Sequence, residues 1–479
     1  MKKYIILFLL PFLVACSNWL ELIPLDGLVK DEYWKTKEDV EATLMGAYQL
    51  FARQDADLFM YGEIRGDMLS IGDNLSNDRQ SIMEGNISST NELTDWQNFY
   101  KVINYCNSVL KYAPIIRETD ATYNEYQMKG HESEALFLRS LVYFYLVRIF
   151  HDVPLVIKST ESDNDELFPP KSTEAQILDQ IEGDLKIARL GVTGDYGSVV
   201  QNKGRANKAA INALLADIAL WDFNYEACIQ YVDEIEKDGY VLIPGSKWYE
   251  IFNPGNSTES IFEFQFDQSL DQSNSIYDLT YFYNYFPTSE TAIQLLEPIL
   301  IRGNGSIQFH NKRIWKYAGI YADGLSSRSG SDNKSANWIV YRMADVKLMK
   351  AEALSQLERY PEALDVLNNF KINRLQSPLE NPTFSAEVFE DIIMKERAIE
   401  LAFEGKRWFD LMRMGRRNNF QRKQKLIEIL VQNVPASQKL ILSAKLTNPM
   451  GWYLPVQADE LNRNSNLIQN PYYAVYTNN

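Results

Sequence analysis

Residues 341–371 read YRMADVKLMKAEALSQLERYPEALDVLNNFK, and residues 207–236 read NKAAINALLADIALWDFNYEACIQYVDEIE. Each opens with an Ala- and Leu-bearing stretch at helical spacing. Each then breaks at a short turn and restarts at an aromatic step, Tyr225-Glu226-Ala227 in one and Tyr360-Pro361-Glu362-Ala363 in the other. Ala216 to Ala227 is 11 positions and Ala351 to Ala363 is 12, so the small residues nearly superimpose. Paired helices with small residues where the backbones approach are the mark of tetratricopeptide-like repeats.

Outward from these two units the periodicity stays helical. The stretch 37–51 sets Val40, Leu44, Ala47 and Phe51 on one face, and 95–110 does the same with Trp96, Phe99, Ile103, Cys106 and Leu110. A wide stripe runs through 132–150 (Ala135, Leu138, Leu141, Val142, Tyr145, Ile149) and stops at His151-Asp152-Val153-Pro154, because a residue before proline disfavours the α region. Thr173 and Gln176 form a capping box that opens a helix through Ile177, Ile181, Leu185 and Ala188. These helices pair into two more degenerate units. The fold class expected is mainly α: a tetratricopeptide-like scaffold with units at about 37–112, 125–190, 205–237 and 339–373. Loop-rich insertions follow at 53–91, 239–334 and 374–385, and a C-terminal helical motif at about 388–416. Short strands are expected at 260–267, where Ile-Phe-Glu-Phe-Gln-Phe alternates, and around 453–456. Although 479 residues suggest about three domains, interleaved repeats and insertions favour one body over 16–479.

The composition limits what that body does. With 48 Lys and Arg against 64 Asp and Glu the net charge is −16, and no basic cluster offsets it, which argues against nucleic-acid binding. Only three histidines (His131, His151, His310) and three distant cysteines (Cys16, Cys106, Cys228) leave no multi-His metal centre and no disulfide framework. Tyrosine is abundant, at 28 residues. At the start, Met1-Lys2-Lys3 and an apolar run to Val14 read as a secretory leader over 1–15, too short to span a bilayer. Leu13-Val14-Ala15-Cys16 resembles a bacterial lipobox, with Cys16 lipidated and anchoring the chain to a membrane surface.

Catalytic machinery is scarce. Glu396, Glu400 and Glu404 share one helix face at i, i+4 spacing, and such like charges need cationic partners, with Arg407, Arg413 and Arg416 the nearest in sequence. An ion-pair network locking two helices accounts for the cluster; a glycoside hydrolase using Glu396 or Glu404 is the alternative. No Gly-x-Ser-x-Gly, Walker or dinucleotide motif is present. No catalytic residue, metal or cofactor is therefore assigned.

Several segments together carry a resemblance. Cys16-Ser17-Asn18-Trp19-Leu20-Glu21-Leu22-Ile23-Pro24 resembles the start of mature SusD/RagB family lipoproteins, as do Tyr33-Trp34-Lys35-Thr36 and Gly46-Ala47-Tyr48. The stretch from Glu134-Ala135-Leu136-Phe137-Leu138-Arg139 to Asp152-Val153-Pro154-Leu155 is similar to the family's central helix. Glu396-Arg397, Glu400 and Phe403-Glu404-Gly405-Lys406-Arg407-Trp408-Phe409-Asp410-Leu411 resemble its C-terminal motif, and Tyr453-Leu454-Pro455-Val456 with Leu467-Ile468-Gln469-Asn470-Pro471-Tyr472 its end. The resemblance implies a non-catalytic, lipid-anchored outer-membrane protein facing the cell exterior. It would capture glycan, or peptide in the RagB branch, and deliver it to a SusC-type TonB-dependent transporter.

A glycan binder needs flat aromatic faces with amides, carboxylates or cations beside them. Tyr277, Tyr281, Phe282, Tyr283, Tyr285 and Phe286 gather in one insertion, and Trp315, Tyr317 and Tyr321 follow with Arg313 and Lys316. The 67–79 loop adds Asp73, Asn74 and Arg79. Asp73, Asn74, Arg79, Tyr281, Tyr283, Trp315 and Tyr317 are the candidate ligand contacts, against the alternative that these rings fill a satellite core beneath long loops.

Overall fold

The computed structural model describes residues 33–162, 166–328, 332–380, 385–432 and 434–474, so the leader and Cys16 lie outside the described residues. The helix α1 (Lys37–Ala52) begins where the Asp39 carboxylate accepts the Thr36 N–H at 2.8 Å. It packs on α4 (Gln97–Thr119), which packs in turn on α5 (Glu125–Phe150). Between them, α2 (Asp55–Glu63) and α3 (Asn77–Met83) occupy the stretch expected as a turn-rich insertion.

The α5 helix starts seven residues before the stripe that announces it. Asn124 accepts from the Gln127 N–H at 2.9 Å, and Gln127 reaches back to the Asn124 N–H at 3.3 Å. His131 is thus inside the helix. From Ser133 to Phe150 the helix is buried on every side. The Thr173–Gln176 capping box opens α6 (Glu174–Gly191) as expected.

The two quoted segments become α7 (Lys208–Trp221) with α8 (Tyr225–Lys237), and α9 (Met343–Gln356) with α10 (Tyr360–Asn373). They are adjacent in space. Lys350 on α9 meets Asp233 at 2.5 Å and Glu236 at 2.9 Å on α8, and Lys347 meets Glu236 at 2.6 Å. The chain between them loops out and returns through one antiparallel pair, β1 (Ser260–Phe264) with β2 (Trp338–Arg342), in register Phe264 to Trp338. The strand ends before Asp267 because that side chain turns to accept the Ser269 N–H at 2.9 Å. No strand forms at 453–456; Leu454 donates instead to the Ile149 carbonyl at 2.8 Å, tying the chain end to α5.

Next come α11 (Ala386–Glu400), α12 (Arg407–Phe420), and the hairpin of α13 (Lys423–Val431) and α14 (Ala436–Leu446). One contiguous apolar core runs from Val40 to Leu467. Two joints fix the loops that matter below. A Cβ on Gly62 would lie 1.9 Å from the Gly405 carbonyl, so α2 and the α11–α12 turn touch backbone to backbone. Ser275 donates to Asp55 at 2.6 Å, and the Ser289 hydroxyl donates to the Asp67 carbonyl at 2.6 Å, pinning both ends of the 275–289 segment to the α2 region.

Candidate functional site

The acidic cluster lies in the core, but its three carboxylates do not share one helix face as expected: Glu396 and Glu400 are on α11, which ends at Glu400, and Glu404 is in the turn that follows. Glu400 takes Arg302 and Arg342 at 2.7 Å each and Arg374 at 2.9 Å. Glu404 takes Lys316 at 2.5 Å and Arg342 at 2.6 Å, and Glu396 takes Arg302 at 2.7 Å. Burial alone would raise Glu400, but the Arg374, Arg342 and Arg302 guanidiniums hold it well below the usual carboxylate range. A general acid needs a raised carboxyl open to substrate; Glu400 and Glu404 are held low, and all three carboxyls are enclosed. The partners come from distant segments, unlike the sequence expectation. Arg407 pairs with Asp67 at 2.6 Å, Arg413 with Glu352 at 2.7 Å, and Arg416 with Glu174 at 2.8 Å. Cys106 and Cys228 are also enclosed, and burial pushes the Cys106 thiol up to about 12. Among the described residues no group of His, Cys, Asp and Glu is arranged to hold a metal ion.

The tyrosine-rich insertion is different. Asp278–Phe282 form one π-helical turn, closed by the Tyr283 N–H donating to the Asp278 carbonyl at 3.0 Å. Such wide turns are rare and recur at functional sites. Leu279, Thr280 and Phe286 face inward and are buried, with Phe286 6.1 Å from the Phe59 ring. The remaining rings form a ladder. Tyr277 lies 5.5 Å from Tyr281 and 6.2 Å from Phe282, Phe282 meets Tyr283 edge-on at 4.8 Å, and Tyr283 stacks on Tyr285 at 5.1 Å and 17°. Phe282 and Tyr283 are 56% and 54% exposed, and exposed adjacent rings are not filling a satellite core.

Cations hold the ladder from three directions. Arg79 lies 5.9 Å from the centre of Tyr285, Arg313 5.4 Å from Tyr281, and Lys334 5.8 Å from Tyr277. Arg313 also donates to the Tyr281 carbonyl at 2.8 Å, and Lys334 to Asp278 at 2.8 Å. The 67–79 loop joins through Ser70 donating to the Pro287 carbonyl at 2.7 Å and Gly72 to the Tyr285 carbonyl at 3.1 Å. Gly72 is required there, because a Cβ would fall 2.5 Å from the Asn284 carbonyl. Asp73 and Asn74 are exposed beyond it, and Asn74 takes a left-handed φ of 62°.

The structure thus brings together Arg79, Tyr281 and Tyr283, with Asp73 and Asn74 on the adjoining loop. Trp315 is half-buried, its indole N–H donating to the Asn304 carbonyl at 2.7 Å, two residues from Arg313. Tyr317 is a correction: it is 2% exposed, stacked on Trp338 at 5.5 Å and edge-on to Phe252 at 5.5 Å, so it offers no face to a ligand. Lys316 is likewise enclosed by Glu404 and the Glu400 and Ala402 carbonyls. Lys334 carried no local signal, since only the fold returns it to Tyr277.

Two family models match the sequence: one described as the SusD family over residues 301–473, and one described as starch-binding associating with outer membrane over residues 18–220. Two SusD-like proteins of Formosa agariphila are each 26% identical. One match covers 86% of this chain and 91% of the relative, the other 98% and 99%. Among solved structures, a SusD superfamily protein of Bacteroides vulgatus aligns with a TM-score of 0.75 at 19% identity, over 92% of this chain and 100% of that one. One described as a laminarin binding SusD-like protein aligns with a TM-score of 0.72 at 22% identity, over 91% and 100%.

Proposed function

The chain belongs to the SusD family, and from that premise we propose that it binds glycan at the ring ladder without catalysis and passes it to an outer-membrane transporter. The observation that carries this reading is the exposed Phe282–Tyr283 surface, stacked on the half-buried Tyr285, fixed from behind by a buried anchor and flanked by Arg79, Arg313 and Lys334. Pyranose rings present patches of C–H that pack on aromatic faces, while their hydroxyls take directed hydrogen bonds from neighbouring polar groups. Asp73 and Asn74 on the loop beside the ladder and Arg79 on the first turn of α3 are assigned to supply such bonds, and Trp315 is assigned to the rim. Laminarin, the ligand in one neighbour's description, is a natural first probe. Affinity electrophoresis on laminarin, starch and a panel of other polysaccharides tests the reading. Retardation lost in Tyr283→Ala supports it, and unretarded migration in every gel refutes it.

The delivery step is part of the same proposal. Among the described residues no helix is long and apolar enough to cross a membrane. Attachment is assigned to lipid on Cys16 after removal of 1–15, with the single body over 16–479 outside the cell and a SusC-type TonB-dependent barrel as partner. Helical repeats offer an extended surface for gripping such a partner. Blue native electrophoresis of membranes before and after deletion of the neighbouring transporter gene checks this. A complex whose size does not change on deletion counts against the partnership.

A further inference from the structure

A second cleft, of about 360 Å³, opens between residues 64–71, the turn at 82–87 and the α13–α14 hairpin, and shares no residue with the ring ladder. Its volume falls within the range of roughly 300–1,000 Å³ typical of small-molecule sites. The walls are mixed, with aliphatic side chains interrupted by Asp67, Ser70, Glu84, Asn86 and Gln438, and Ile71 and Ile441 turn 43% and 57% of their surface outward. Leu442 lines the hairpin side, and Trp408 and Tyr472 contribute rings.

Two cations also line it. Arg65 lies 4.4 Å over the Trp408 ring and donates to the Gly451 carbonyl at 2.8 Å and to the Trp452 carbonyl. Lys445 donates to the Glu84 carbonyl at 3.3 Å and to the Asn86 side-chain oxygen. All these acceptors are neutral, whereas the buried Arg302, Arg342, Arg374, Arg397, Arg413 and Arg417 each meet a carboxylate. Of the two acidic residues of the lining, Asp67 has its own cation, whereas Glu84 has only neutral amide donors and its carboxylate acts on Lys445. Arg407 holds Asp67 at 2.6 Å, and Glu84 accepts from Gln80 at 2.8 Å and Asn86 at 3.2 Å. Burial pushes both Arg65 and Lys445 below their ordinary values, opposed at Lys445 by the Glu84 carboxylate and at Arg65 by Tyr473 and Tyr472. Arg328 shows the alternative use of a carbonyl-bound guanidinium, closing a turn through Tyr317, Ile320 and Phe252, but it lines no such cleft.

The geometry points to a binding site for a small amphipathic carboxylate, its alkyl or aryl body against Ile71, Ile441 and Leu442 and its charge toward Lys445 and Arg65. A neutral apolar ligand would leave Arg65 without a carboxylate, and the aliphatic part of the lining favours a ligand with a hydrocarbon body over a bare phosphate. The site stands apart from the glycan reading and does not depend on it.

Isothermal titration calorimetry of the purified protein with 4-phenylbutyrate and with octanoate, each against its primary amide, tests the assignment. The expected result is one site per chain, with each acid binding at least ten-fold more tightly than its amide. Lys445→Gln and the cleft-filling Leu442→Trp should each weaken the acid about ten-fold or more while melting like the unaltered protein. Equal affinity for acid and amide, no binding of either acid, or full binding by a folded Leu442→Trp overturns it. The acid-to-amide ratio on the unaltered protein decides the matter even where a variant does not fold.

Discussion

Tyr283 and Tyr317 have the same side chain in the same insertion, and the structure gives them opposite work. Tyr283 is half outside the protein, while Tyr317 is packed between Trp338 and Phe252. Tyr317→Ala is therefore expected to cost about 3–5 kcal/mol of stability, as large aromatic truncations in cores do. Tyr283→Ala should change stability by no more than about 0.5 kcal/mol, as ordinary surface substitutions do. Urea unfolding of the two variants separates them. Glu63 gives a second prediction. It is wholly buried, accepts from the Gly405 N–H at 2.8 Å and the Lys406 N–H at 3.2 Å, and burial pushes it up to about 8. In the unfolded chain it ionises near pH 4.3, so between that value and about pH 8 the folded state binds the extra proton and loses stability as pH rises. Glu63→Gln keeps an amide oxygen for both N–H groups and removes the ionisation. Its urea midpoint should gain on the unaltered protein steadily from pH 4 to pH 8, and an advantage independent of pH would refute the assignment.

Among the elements, the α11–α12 joint is the most exacting. Gly62 lies against the Gly405 carbonyl, and Gly405 itself takes φ 71°. Gly62→Ala forces α2 away from that turn and is expected to destabilise by roughly 1–3 kcal/mol, measurable as a lower thermal midpoint. The network next to it is equally specific. Glu400→Gln leaves Arg302, Arg342 and Arg374 without their shared counter-charge, an expected loss of about 3–5 kcal/mol in urea unfolding. These elements were unevenly legible. Apolar spacing announced α1 and the capped start of α6, which bury one face, and Ala- and Leu-rich composition announced α7 and α9, which are buried on nearly every side. The α2 helix was hidden by Gly, Asp and Met in a stretch read as turns, and its burial is tertiary. The first turns of α5 were hidden because Met128 is their one buried large apolar side chain, too few to set a period.

Across the whole molecule, one apolar core links the first helix to the last residues, and Leu454 closes the circuit on α5. Calorimetry is accordingly expected to show a single cooperative transition; two separated endotherms would mean that the repeat units and the insertion unfold apart. At this scale the sequence by itself determined the helical class, the repeat pairs, the wealth of loop tyrosines and the scarcity of catalytic groups. Each is written in local spacing or in composition. Only the tertiary structure decided which rings meet solvent, which arginines answer Glu400, and that Lys334 and Arg79 converge on one ladder. Those partners lie far apart along the chain, and burial and ion pairing depend on distance in space, which local patterns do not encode.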